Sequence, residues 1–300
     1  MNMTAEKPET PLQPVIETIT VKGVHGGKDF NICHAHWKPK GATKGAVVGV
    51  HGLSRQKRDM DYIARFLCGQ GYEFYSLDAP GRGGSQWMED PADYNLVTAS
   101  PIFAGYLKQL GIEKVHWIGT SMGGLIAMTM AAMDMAGAFK SLTLVDITHK
   151  PSRAGLDRII SYLDAPLPVF AEVAQYEEFV RLSLPLGPVS DEVWRHYAEH
   201  QLVKKDKGLH FHFDPQILKR AMIDMKAEID ITEGLQKVSC PVALVAGSVS
   251  DLCGKGEIEA LQKLKPNAAV RICEGAGHVP ALADDATQQF ILEHIQKAER

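Results

Sequence analysis

The sequence predicts an α/β fold: a doubly wound, mostly parallel sheet with a helical cap insert. Three observations predict it. Short apolar runs rich in β-branched residues recur between residues 46 and 147. Stretches with helical periodicity lie between those runs. The alternation stops after Ile147 and resumes at Pro241, leaving a long segment of different character.

Taken in order, residues 1–15 begin with the polar, proline-bearing stretch Met1–Pro14 and read as a disordered tail. Ile16–Val21 and Phe30–Trp37 flank a turn-rich link, Gly23-Val24-His25-Gly26-Gly27, and read as an antiparallel hairpin at the sheet edge. Ala46–Val50, Phe74–Leu77, Val115–Ile118, Leu142–Val145 and Val242–Val245 are apolar enough for parallel strands covered on both faces. Met60, Ile63 and Leu67 share one helical face. Phe103, Tyr106, Leu107 and Leu110 share another. Strand, helix and strand repeated in this way give a right-handed parallel sheet. From His149 to about Gly234, helix-like stretches are punctuated by Pro166, Pro168, Pro185 and Pro188. The expected organisation is a core of residues 16–147 and 235–300 with a cap of residues 148–234. That cap would lie over the C-terminal strand ends, where open α/β sheets bind ligands.

The totals exclude several classes. A chain of 300 residues with 45% hydrophobic and 23% charged residues has an ordinary globular composition. A net charge of −4 provides no basic footprint for nucleic acid. The longest apolar run, Leu125–Ala136, is broken by Asp134 and is too short to cross a bilayer. The N-terminus lacks the apolar stretch of a signal peptide, so the expectation is a cytoplasmic protein without a membrane partner. Cys33, Cys68, Cys240, Cys253 and Cys273 are scattered without a zinc spacing and read as reduced thiols. Oligomeric state leaves no mark in the sequence.

Ser121 is the candidate nucleophile. It lies in Gly119-Thr120-Ser121-Met122-Gly123, after an apolar strand and before the helix-forming run Leu125–Met128. That strand–turn–helix context is what a G-x-S-x-G elbow requires, because the turn is too tight for side chains at the glycines. The pattern alone arises by chance in many chains; its flanking elements do not. A serine hydroxyl needs a base to take its proton. His278 sits in the glycine-containing loop after the strand-like Ala269–Ile272 and is the candidate base. The third member should orient the imidazole. Asp251 follows the strand Val242–Val245, and the intervening Gly247 and Ser248 leave room for it to reach the histidine. Asp146, after the preceding strand, is the rival acid; the expectation favours Asp251. The N–H of Met122 and the N–H of Leu53, in the loop His51-Gly52-Leu53-Ser54, are the candidate oxyanion donors.

These pieces resemble the α/β-hydrolase superfamily, in its branch of small esterases and lactonases with a helical cap. The matching segments are His51-Gly52-Leu53, Asp78-Ala79-Pro80-Gly81-Arg82-Gly83-Gly84-Ser85, the Ser121 elbow, Asp251 and Gly277-His278, in family order. The resemblance implies the α/β-hydrolase fold with an antiparallel second strand, a serine–acid–histidine triad, no cofactor and a small-molecule substrate. It also implies that Arg82 braces the loop after Asp78. Many relatives carry a bulky residue and then proline after His-Gly. Here Leu53 leads into Ser54-Arg55-Gln56-Lys57-Arg58, with three cations that either approach the pocket mouth or start a solvated helix.

The expected activity is metal-free hydrolysis of a carboxylic ester or lactone through an acyl-enzyme. An amidase, a carbon–carbon bond hydrolase or an acyltransferase would use the same residues. A cofactor-free haloperoxidase activity would be a side reaction of the same site. A hydrolase-fold receptor for a small ligand is the remote alternative. Serine at the elbow speaks against an epoxide hydrolase or dehalogenase of this fold. Two other clusters read as structural. His34 and His36 share a strand face from which Cys33 points away, which suits a solvated edge strand better than a metal site. His210-Phe211-His212-Phe213-Asp214 reads as a loop of the insert. Phe170, Tyr176, Phe179 and Trp194 read as cap core.

Overall fold

The computed structural model describes residues 12–300. Val15–His25 (β1) and Lys28–Trp37 (β2) form an antiparallel hairpin. Next come Ala46–Val50 (β3), Asp61–Gly69 (α1), Glu73–Leu77 (β4), Leu96–Gln109 (α2), Val115–Thr120 (β5), Met122–Met130 (α3) and Phe139–Val145 (β6). Arg153–Leu163 (α4), Val173–Ser183 (α5) and Asp191–Gln201 (α6) follow. A short hairpin, Leu202–Lys205 (β7) with Gly208–Phe211 (β8), then leads into Gln216–Lys226 (α7). Thr232–Lys237 (α8), Val242–Gly247 (β9), Lys255–Leu264 (α9), Ala269–Cys273 (β10) and Asp285–Lys297 (α10) complete the order. Most of the expected tail lies outside the described residues, and Val15 already belongs to β1.

The main sheet has eight strands in the order β1-β2-β4-β3-β5-β6-β9-β10. β2 runs antiparallel to both neighbours, and the pairs from β4 to β10 are parallel. Successive side chains on the central strands enter opposite apolar layers, as the two-residue period requires. Trp117, Leu144 and Leu244 pack with Phe103, Tyr106 and Ile126 under α2 and α3. Ile118, Val145 and Val245 pack with Ile63, Leu67, Ile291 and Ile295 under α1 and α10. Burial on both faces explains why these strands are continuously apolar in sequence.

Between β6 and α8, the insert has its own small apolar cluster of Phe170, Tyr176, Val180, Trp194 and Tyr197. It is not all helix. His210 and Phe211 lie in β8 rather than in a loop, and backbone bonds fasten the end of this hairpin to the core: Gly83 N–H donates to His212 O at 2.8 Å and Asp214 N–H to Gly81 O at 2.9 Å.

One expectation about β2 is corrected. His34 and His36 are 1% and 6% exposed, so they do not lie on a solvated edge strand. β1 takes the edge position, and the α2 side chain Tyr106 lies edge-on to the His34 ring. The five cysteines are free thiols. Among the described residues, no helix is long and apolar enough to cross a membrane.

Candidate active site

Ser121 stands between β5 and α3 with φ 49° and ψ −111°, a backbone conformation that L-residues other than glycine rarely adopt. The flanking glycines permit it. A Cβ at Gly119 would lie 2.4 Å from Gly124 N, and one at Gly123 would lie 2.2 Å from Val50 O. α3 therefore starts almost against the ends of β3 and β5. Ser121 is lifted over the sheet at the N-terminus of a helix.

His278 occupies the loop after β10, with its Nε2 2.9 Å from Ser121 Oγ. That loop crosses directly over the end of β9, where a Cβ on Gly247 would sit 2.3 Å from Ala276 O. Gly277 N–H donates to Pro185 O of the insert at 2.8 Å, which ties the histidine loop to the cap.

The carboxylate facing His278 belongs to Asp146. Its Oδ2 is 2.8 Å from His278 Nδ1. Asp146 immediately follows β6 with φ 52° and is fully buried. It also accepts from Gly247 N–H at 2.8 Å and from Ser250 Oγ at 2.6 Å. An Nδ1–H donated to this carboxylate leaves Nε2 as the acceptor for the serine proton, the tautomer a general base needs.

Asp251, the acid favoured from sequence, is therefore corrected. Its carboxylate pairs with Arg158 of α4: Arg158 Nη2 lies 2.9 Å from Oδ1, and Nε bonds Oδ2. The Arg158 guanidinium holds the Asp251 carboxyl below the usual carboxylate range. The loop after β9 turns outward toward the cap and sends Ser250, not Asp251, to the carboxylate that faces His278. Asp146 carried a readable signal: it abuts its strand with no spacer, as Ser121 does.

Leu53 and Met122 both line the cavity beside Ser121. Gly52 C=O accepts from His51 Nδ1 at 2.7 Å and from Arg55 N–H at 3.2 Å. In a trans peptide the N–H points opposite to the C=O, so the Leu53 N–H faces away from both donors. Met122 is the first residue of α3, so its N–H has no partner within the helix. Burial pushes His51 down to about 3, leaving its Nε2 free to accept Ala79 N–H at 3.0 Å. Arg82 is buried and spans the same region. Its Nε donates to Leu53 O at 2.9 Å, Nη1 to Pro80 O at 2.7 Å, and Nη2 lies 3.4 Å from Met122 Sδ. It braces the loop after Asp78, and it also touches both residues expected to supply oxyanion donors.

The cations of the Arg55–Arg58 segment neither approach the pocket mouth as free charges nor start a solvated helix. Arg55 grips Asp59 with Nε at 2.6 Å and Nη2 at 2.8 Å, and reaches Tyr176 Oη of the cap at 3.2 Å. Lys57 is buried on Asp78 at 2.6 Å, and Arg58 pairs with Asp61 at 2.6 Å.

The cavity over Ser121 and the open space at its mouth together amount to about 820 Å³. Leu125, Ile126 and Ile147 contribute from the core. Leu156 and Ile159 of α4 and Met225 of α7 contribute from the insert. This wall is overwhelmingly aliphatic, which suits a small organic substrate held by few polar groups. Phe170, Tyr176 and Trp194 are cap core, while Tyr176 and Phe179 also line a second cavity between cap and core.

Comparison with known proteins agrees with this fold. Residues 47–291 match the model of the alpha/beta hydrolase family. A 3-hydroxybutyrate-oligomer hydrolase from Cupriavidus necator is 29% identical over 289 residues, covering 92% of this chain and 95% of that protein. An N-formylmaleamate deformylase from Pseudomonas putida is 26% identical, covering 85% of this chain and 89% of that protein. The crystal structure of a putative hydrolase from Rickettsia typhi superposes with a TM-score of 0.83 at 26% identity, covering 94% of this chain and 99% of that one.

Proposed function

The chain belongs to the alpha/beta hydrolase family, and we propose that it is a serine hydrolase cleaving a carboxylic ester or lactone of a small molecule through an acyl-enzyme. One observation carries the reading: the continuous relay from Ser121 Oγ through His278, at 2.9 Å and 2.8 Å, to the buried Asp146 carboxylate.

In this reading His278 Nε2 removes the Ser121 proton as Oγ attacks the substrate carbonyl carbon. The carbonyl oxygen becomes an oxyanion held by the N–H groups of Leu53 and Met122. Asp146 stabilises the imidazolium without itself taking the proton. The oxyanion collapses, the bond to the leaving oxygen breaks, and His278 Nε2–H protonates that oxygen. A water molecule, deprotonated by His278, then attacks the acyl carbon; the bond to Ser121 Oγ breaks, Oγ takes the proton back from His278 Nε2, and the carboxylic acid leaves. Residues 148–234 act as the cap that closes the pocket. The aliphatic wall of Ile147, Leu156, Ile159 and Met225 favours a short, weakly polar acyl group. The Cupriavidus relative, named for 3-hydroxybutyrate oligomers, supports esters of short hydroxy acids as the first substrates to assay.

A fluorophosphonate probe tests the assignment. Wild-type protein should be labelled at Ser121, established by peptide mass, and Ser121→Ala should not. Equal labelling of both proteins rejects it.

A further inference from the structure

We propose that Glu17, His34 and His36 form a Zn²⁺ site on the β1–β2 hairpin. β4 and β3 separate this hairpin from β5, the strand that leads into Ser121. Glu17 and His34 are cross-strand partners, and His36 lies two residues along the same face. Their ligand atoms lie within 4.8 Å of one another.

The spacing suits a tetrahedral ion. Glu17 Oε2 is 3.4 Å from His34 Nε2 and 3.2 Å from His36 Nδ1. Ligands about 2.0–2.1 Å from a tetrahedral Zn²⁺ stand about 3.3 Å from each other. The outer shell is also built. His36 Nε2 is 2.7 Å from Glu73 Oε1, the carboxylate that a metal-bound imidazole characteristically holds on its far nitrogen.

Two features of the hairpin remain unsatisfied without a cation. His34 is 1% exposed, yet neither ring nitrogen makes a well-formed hydrogen bond: Nδ1 has no partner and Nε2 meets only Glu17 Oε2, at 3.4 Å. His36 faces carboxylates on both nitrogens, whereas a neutral imidazole has one N–H to offer. An ion bound by His34 Nε2, His36 Nδ1 and Glu17 supplies a partner for His34 Nε2 and leaves the single His36 N–H to Glu73. Glu17 is 45% exposed in its side chain, which provides an entry path and a solvent-facing fourth position. Two imidazoles and one carboxylate suit Zn²⁺ over Mg²⁺ or Ca²⁺.

A second histidine–carboxylate group, Asp61, His196 and His200, has similar composition but a different environment. Arg58 Nε holds Asp61 Oδ2 at 2.6 Å, and His196 Nε2 lies 3.0 Å from Arg58 O. The guanidinium already neutralises the carboxylate that a metal would need.

The experiment uses the full chain, stripped with EDTA, dialysed and titrated with ZnCl₂ against a chromophoric chelator. The bound metal is counted, and Co²⁺ is tested separately for the visible bands of a four-coordinate ion. The expected results are one equivalent bound, a rise in Tm with zinc, and affinity reduced at least ~10-fold in Glu17→Gln and His36→Gln. His200→Gln should bind as wild type does. Glu17 lies on the exposed side of the hairpin, so its variant carries the test if a histidine variant fails to fold. Absence of stoichiometric binding, unchanged affinity in Glu17→Gln, or loss of binding in His200→Gln overturns the proposal. Ester hydrolysis by metal-free Glu17→Gln should equal that of metal-free wild type, which separates this outcome from the fate of the Ser121 assignment.

Discussion

Asp146 Oδ2 and His278 Nδ1 are 2.8 Å apart, joining the end of β6 to the loop after β10 across the end of β9. The strand between them contributes Gly247 N–H and Ser250 Oγ to the same carboxylate. Three strand ends therefore converge on one buried acid.

Asp146→Asn should lower kcat by about 10⁴-fold, because an amide no longer selects the tautomer with a free Nε2. Asp251→Asn should change kcat by less than about tenfold, because Asp251 meets Arg158 rather than His278. Steady-state kinetics on a p-nitrophenyl ester check both. The reverse pattern would return Asp251 to the triad.

Ser121→Gly should be inactive and more stable than Ser121→Ala by about 1–2 kcal/mol. Only glycine adopts φ 49° with ψ −111° without steric penalty. Urea denaturation of the two variants measures the difference. Equal stability would mean that the elbow stores no strain.

Arg82→Lys should lower kcat by roughly 10–100-fold with a smaller change in KM, a partial loss of oxyanion stabilisation. Lysine cannot bond Leu53 O and Pro80 O with a planar fork. The fluorophosphonate reaction should slow but still reach Ser121. An unchanged kcat would reduce Arg82 to a packing role.

Acid should destabilise the fold through buried neutral histidines. Burial pushes His51 down to about 3 and His116 and His294 down to about 4. The unfolded chain protonates these groups near pH 6.5, so below that pH it binds more protons than the folded state. Their contribution is whole above about pH 6.5 and is lost as pH falls toward 4, by up to about 1.4 kcal/mol per pH unit per histidine. Urea unfolding at pH 7, 6 and 5 should show the decline. A flat profile would contradict it.

The sheet was legible because its strands are buried on both faces, so each appears as an uninterrupted apolar run such as Ala46–Val50. Ser121 and His278 were legible because their glycines report tight backbone passages that local sequence records. The choice of acid was not, since both aspartates follow strands. What separates them is the outward course of residues 248–251 and the presence of Arg158 on a distant helix. The β2 histidines were misjudged for a related reason. Period-two reasoning put His34 and His36 on one face, but the helix covering that face and the strand outside it are long-range facts. The pairing of Lys57 with Asp78 across 21 positions belongs to the same class.

The brace at Arg82 has a consequence for anyone exchanging caps between relatives. Its backbone bridges Phe213, and the neighbouring Gly83 N–H bonds His212 O, so the insert holds the segment whose guanidinium reaches Leu53 and Met122. A transplanted cap that lacked this bridge would remove a support of the segment that reaches Leu53 and Met122, the proposed oxyanion donors. In the proposed mechanism substrate range and turnover are mechanically linked, and a chimera would have to conserve the seam before it could vary the wall.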